Sequence, residues 1–165
     1  MTNETIRFPS ASFPALPDVS LSLPDLWSGT LVPATILAAH RQVDDGQFIS
    51  NVIVRTQRLA ATVDLESAAK IVDDGIAELA EVENISRTML ETDGRPVYCR
   101  EFAFRHPQLG ALAQAWRVIA VPHDGVMDLV ELVGTFAPPR MADLIEIRQL
   151  MDSVEIRAAV PAEQH

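Results

Sequence analysis

The stretch Ala113 to Phe136, AQAWRVIAVPHDGVMDLVELVGTF, decides the fold. Two apolar, β-branched runs, Ala113 to Val121 and Val126 to Phe136, flank His123-Asp124-Gly125. Asp-Gly between such runs is a strong short-range hairpin signal, so the stretch is predicted to be the middle of an antiparallel sheet. Upstream, Ile85 to Thr92 and Pro96 to Arg105 are two more predicted strands, separated by Asp93-Gly94 and followed by the loop His106 to Gly110. Tyr98, Phe102, Phe104, Trp116, Val118 and Val130 concentrate here, as pleated half-buried surfaces require.

On either side of this four-strand meander the period changes. In Asp64 to Glu81, Leu65, Ala68, Ala69, Val72, Ile76 and Leu79 fall on one helical stripe while Glu66, Lys70, Asp73, Asp74 and Glu78 face out. Asp64 is the predicted N-cap, Glu66 and Lys70 a predicted i,i+4 pair, and Gly75 a point of close packing on the sheet. Pro138-Pro139 ends the meander and opens a second helix over 140–154, with Met141, Leu144, Ile145, Met151 and Val154 on its inner face and Arg148 the exception in that stripe.

Nearer the N-terminus, Val19 to Leu23 alternates as a short strand, and Pro24 to Gly29 turns the chain with Trp27 as a buried plug. Thr30 to Gln42 and Phe48 to Gln57 are predicted to pair through Asp44-Asp45-Gly46. Residues 1–17, with Pro9, Pro14 and Pro17, form an arm, 18–157 a single domain, and 158–165 a loose tail. The order strands, helix, meander, helix predicts an α+β domain, an antiparallel sheet of six or seven strands flanked by helices.

Composition excludes several function classes. With 23 acidic and 13 basic residues the formal charge is −10, which disfavours nucleic acid and anionic lipid surfaces. The longest apolar runs are broken by Arg117, Asp128 and Glu131 before the roughly 20 residues of a membrane span. The single cysteine, Cys99, forms no internal disulfide. Without a basic region and apolar core at the N-terminus, the expected location is cytoplasmic, with export without a recognisable leader, or with a leader the sequence does not include, as the alternative.

Chemistry-bearing residues are sparse. His123-Asp124 in VPHDGV suits a turn better than an orienter and base. Cys99 beside Arg100 is placed by alternation inside the sheet, where free cysteine acts as a small hydrophobe. His40, His106, His123 and His165 have no metal-ligand spacing, and no cofactor motif is present. Trp27-Ser28-Gly29 matches the Trp-x-Gly of small type VII secretion substrates, but no Tyr-x-x-x-Asp/Glu follows.

Arg100, Glu101, Arg117, Asp128 and Glu131 stand out, because they lie inside otherwise apolar strands. Two explanations fit them. They form cross-strand ion pairs on an exposed sheet face, or Arg100 and Arg117 hold the carboxylate or phosphate of a ligand or partner.

The strand ending in Leu23-Pro24-Asp25-Leu26-Trp27, two further strands, an amphipathic helix, a meander and a Pro-started helix resemble the PsbP-like superfamily. This includes the Mog-type Ran-binding proteins and the mycobacterial LpqN lipoproteins, the branch most similar in its Arg-rich, Ala-rich composition. The resemblance covers Val19 to Val154 and implies an α/β/α sandwich used as a binding or assembly module. The chain departs from the LpqN pattern in lacking a signal peptide and a lipid-bearing cysteine. The expected function is therefore a non-catalytic protein–protein contact in a bacterial envelope or secretion system. Two alternatives come from other classes: a small-molecule or lipid carrier with a cleft between helix and sheet, and an enzyme using Cys99, His106 and His123.

Overall fold

The computed structural model describes residues 4–42, 48–123 and 125–157. The predicted Asp44-Asp45-Gly46 turn, Asp124, His165 and the tail 158–165 lie outside them. In chain order the elements are β1 (Asp18–Ser20), β2 (Trp27–Gly29), β3 (Leu37–Arg41), β4 (Asn51–Ala60), α1 (Leu65–Ala77), β5 (Ala80–Thr92), β6 (Arg95–His106), β7 (Gly110–His123) and β8 (Val126–Phe136). A 3-10 turn (Pro138–Arg140), α2 (Met141–Asp152) and β9 (Glu155–Arg157) complete the domain. The main sheet has seven antiparallel strands in the order β2-β3-β4-β8-β7-β6-β5, and β1 pairs with β9 in a separate ribbon. The α+β class and the seven strands agree with the sequence.

The β5–β6 turn has two residues, Asp93 at φ 52° and Gly94 at φ 73°, the left-handed pair that a twisted hairpin favours. β8, between β7 and β4, is the central strand, which explains its nearly unbroken apolar run. Register divides the strands cleanly between two cores. Towards α2 point Val52, Val54, Ala115, Ile119, Val130, Leu132 and Phe136, packed against Leu144, Ile147, Leu150 and Met151. Towards α1 point Tyr98, Val118, Ala120 and Leu129, met by Leu65, Ala68 and Ala69, while Ile76 packs with Phe102, Phe104 and Leu112.

Several expectations change. Trp27 is buried and the expected turn precedes it, with Leu26 at φ 68° and the Trp27 amide donating to the Pro24 carbonyl at 3.2 Å, but Trp27 itself lies in β2, and a second turn falls at Pro33 and Ala34, whose φ is 62°. Thr30 to Ile36 thus lies outside the strands, and the register with β4 runs over Leu37 to His40. The first strand is Asp18–Ser20, shorter than the alternation of Val19 to Leu23 implied. α1 stops at Ala77 and the chain enters β5 at Ala80, with Glu81 in the left-handed region. Asp64 caps α1 by accepting from the Ser67 amide at 2.8 Å, but Lys70 pairs with Asp74 rather than Glu66. Gly75 packs against nothing: a Cβ there would meet no atom within 4 Å.

α2 is rotated from the predicted stripe. Met141 and Ile145 are 50% and 58% exposed, while Asp143, Leu144, Ile147, Leu150 and Met151 turn inward. Asp143 can be buried because Ser50 Oγ donates to it at 2.6 Å and Arg140 Nε lies 3.1 Å away. Next to it, Glu146 accepts from Trp27 Nε1 and from Arg41 Nε, both at 2.8 Å. Hydrophobicity alone favours the other stripe because these polar partners come from distant strands.

The meander's charged residues are buried or nearly so, and no exposed ion-paired sheet face exists at them. Two pairs are cross-strand, Arg55–Glu131 at 2.5 Å and Arg58–Asp128 at 2.7 Å. The others join the sheet to the helices: Arg100 to Asp73 of α1 at 3.2 Å, Glu101 to Arg148 of α2 at 2.5 Å, and Arg117 to Asp152 of α2 at 3.7 Å. Arg58 also donates to the carbonyls of Pro14 and Ala15, which fastens the N-terminal arm to the sheet.

A Cβ at Gly134 would collide with Cγ2 of Ile147, which is fully buried, so Gly134→Ala should cost about 1–3 kcal/mol in urea unfolding; an unchanged midpoint would show that α2 does not rest there. The Arg148 hydrogen bonds hold the Glu101 carboxyl below its ordinary value of 4.5, despite burial. The unfolded chain therefore takes up more protons in acid: the stability from Glu101 is complete above pH 4.5 and lost as pH falls through the lower folded value. The stability gap between the native chain and Glu101→Gln should be largest at neutral pH and shrink in strong acid.

Candidate functional site

A helix is about 10 Å wide and strands lie about 4.8 Å apart, so one helix covers only two or three of seven strands. On the α2 face the β1–β9 ribbon adds cover, with Val19, Leu21 and Ile156 packed on the core. On the α1 face the described residues add no such ribbon, only Phe48 packed beside Ile76 and Phe102. Between α1 and the β4–β8 side of the sheet lies a half-open groove of about 650 Å³.

Its α1 wall is Ile71, Val72, Gly75, Ile76 and Leu79, and its sheet wall is formed by Phe102, Phe104 and Trp116, with Arg55, Gln57, Gln114 and Glu131. Phe102 and Phe104, two apart on β6, point to the same face with ring centroids 5.8 Å apart. Ile71, which the apolar period left off the inner stripe, is 66% exposed at the rim. Gly75 adds room where any other residue would fill it.

Four polar side chains of the groove, Trp116, Gln114, Arg55 and Glu131, are already paired within the chain. Trp116 Nε1 donates to Gln114 Oε1 at 2.9 Å, and Gln114 Nε2 to Thr135 Oγ1 at 3.2 Å. Arg55 pairs with Glu131 and lies 5.3 Å from the Trp116 ring centroid, in cation–π geometry. The site is thus electrically balanced and chiefly apolar, suited to burying a hydrophobic surface and lacking a poised nucleophile or base.

Arg100 and Arg117 are not brought together. In the β6–β7 register Arg100 faces Trp116 and Arg117 faces Cys99, so the two guanidiniums emerge on opposite faces of the sheet. The carboxylates they hold are the chain's own, Asp73 and Asp152. Around Asp73, Tyr98 Oη and Arg87 Nε also donate. Burial would raise the Asp73 carboxyl, but these bonds outweigh it and hold it low, while burial and then Asp73 push Tyr98 up to about 12. Arg117 borders a smaller cavity of about 120 Å³ with Cys99, Met151 and Asp152.

The residues of the enzyme alternative are also apart. His106 and His123 stand at opposite ends of the β6–β7 hairpin, roughly 40 Å apart along the strand at about 3.3 Å per residue. His106 Nδ1 accepts from the amides of Gln108 and Leu109, and His123 Nε2 lies 2.9 Å from Asp128 Oδ2. Burial raises the Cys99 thiol, away from the thiolate a nucleophile needs. Among the described residues no group of three or more His, Cys, Asp or Glu could hold a metal ion, and no helix is long and apolar enough to cross a membrane.

No family model matches the sequence, and no curated protein does. Solved structures do. LpqN of Mycobacterium tuberculosis, described as involved in cell envelope biogenesis, superposes with a TM-score of 0.75 at 13% identity over 89% of this chain and 87% of that one. The cyanobacterial PsbP of Synechocystis sp. PCC 6803 gives 0.56 at 14% identity over 91% and 99%. The Ran-binding protein Mog1p of Saccharomyces cerevisiae gives 0.55 at 9% identity over 88% and 92%. At such identities the likeness is one of architecture, and the chain has the PsbP-like, Mog-type fold that its order of elements implied.

Proposed function

We propose that the chain is a non-catalytic binding module whose protein partner inserts apolar side chains into the groove between α1 and the sheet. The groove itself carries this reading: a half-open, chiefly apolar concavity whose charged groups, Arg55 and Glu131, already pair with each other. Arg100 and Arg117 stay outside it, engaged with Asp73 and Asp152. An envelope setting is supported by LpqN, described as involved in cell envelope biogenesis, and protein binding by Mog1p, described as Ran-binding. A second reading, a carrier of a small apolar molecule or lipid, is favoured by the volume of about 650 Å³, within the roughly 300–1,000 Å³ of ligand pockets.

Affinity capture from the native host tests both, with proteins and small molecules analysed by mass spectrometry in the same eluate. Ile71→Glu puts a charge on the groove rim at an exposed site, where substitutions change stability by only about 0.5 kcal/mol. It should abolish capture of the partner or the ligand, and undiminished capture would refute the groove as the binding surface. Gly75→Ala should raise helix stability by about 0.5–1 kcal/mol in thermal unfolding while weakening capture, because the added methyl enters the groove.

A further inference from the structure

The two edges of the main sheet are unlike. β2 is three residues long, whereas β5 has thirteen and among the described residues pairs only with β6. Long bare edges invite a further strand, and proteins commonly blunt them with charged side chains, proline or bulges. β5 has no proline, its register shifts fall between Ala80 and Ser86, and beyond them its two charges, Arg87 and Glu91, are of opposite sign. Ser86 to Thr92 is regular, with Met89 and Leu90 each 49% exposed.

Turn geometry fixes which backbone groups are free. Thr92 and Arg95 flank the two-residue Asp93-Gly94 turn and form a hydrogen-bonded pair. By alternation Leu90 and Thr88 direct their N–H and C=O groups into β6, while Glu91, Met89 and Arg87 direct theirs away from the sheet.

We infer that a second copy of the chain adds to this edge, β5 against β5, antiparallel about a two-fold axis at Met89. In that register Met89 faces Met89, and Arg87 of each copy stands opposite Glu91 of the other. A two-fold axis at Arg87 or Glu91 would oppose like charges, and one at Thr88 or Leu90 would leave Arg87 facing Met89 or Asp93. Only the Met89 axis places Arg87 opposite Glu91 while aligning the outward N–H and C=O groups, for about six new backbone hydrogen bonds. Arg87 Nε donates to Asp73 and its guanidinium carbon lies 5.4 Å from the Tyr98 ring centroid, yet 60% of the side chain stays exposed, so it can meet Glu91 of the other copy from where it stands. The joined sheets bury Met89 on one face and Leu90 beside Thr88 on the other, so the dimer does not use the groove and stands independently of the function proposed above.

Sedimentation equilibrium tests the inference: the native chain should have the mass of two 18.1 kDa chains. Met89→Pro deletes a central outward N–H without removing a β5–β6 bond and should halve the mass. Glu91→Arg alone, or Arg87→Glu alone, should also yield monomers, and mixing these two variants should restore a dimer because their charges become complementary. Should Arg87→Glu fail to fold beside Asp73, amide exchange of the native chain serves instead, with the Arg87, Met89 and Glu91 amides protected and released by Met89→Pro. A native monomer, or a dimer that survives Met89→Pro, would overturn the inference.

Discussion

Arg100 and Glu101, consecutive on β6, hold the domain's three layers together. Adjacent strand residues point to opposite faces, so Arg100 reaches Asp73 of α1 and Glu101 reaches Arg148 of α2. Both lie where charge is tolerated only with a partner, and removing one member of a buried pair commonly costs about 3–5 kcal/mol. Glu101 takes two hydrogen bonds from one guanidinium, at 2.8 and 2.5 Å, a planar match that fixes the rotation of α2 as well as its distance. Apolar packing alone would allow the helix to turn towards its Met141–Ile145 stripe.

The same logic recurs at the other sheet charges. Asp128, fully buried, binds Arg58 through two bonds, and Arg58 in turn fastens the arm at Pro14 and Ala15. Asp143 and Glu146 gather Ser50, Arg41, Arg140 and Trp27 in the first half of α2, and Asp143, in the first turn, also complements the helix dipole. Charges that interrupt apolar strands therefore specify how helices and arm sit on the sheet. The groove arises from the complementary deficit, a wide sheet with one helix on a face that no ribbon among the described residues helps to cover.

Much of the fold was legible in the sequence. Turn chemistry at Asp93-Gly94 and around Gly125, together with alternating apolar runs, was sufficient for the meander, and the stripe from Leu65 to Ile76 with Asp64 as cap was sufficient for α1. Parts of the candidate site were visible as well: Phe102 and Phe104 share parity on β6 and Ile71 falls off the inner stripe of α1, whereas Gly75 reads in sequence as a packing point and proves instead to leave space. These are weak signals one at a time, because local sequence does not reveal which strands a helix leaves bare.

The sequence by itself determined the α+β class, the antiparallel meander and the PsbP-like order of elements, since hairpin turns and hydrophobic period act over a few residues. Tertiary structure alone decided the rest. It put Arg100 and Arg117 on opposite faces, because their separation depends on the β6–β7 register. It turned α2 onto Asp143, Ile147 and Leu150, because the partners of its carboxylates come from β2, β3 and the approach to β4. And it opened the groove beside α1, because helix width and strand spacing, quantities no local window contains, limit how much of a seven-stranded sheet one helix can cover.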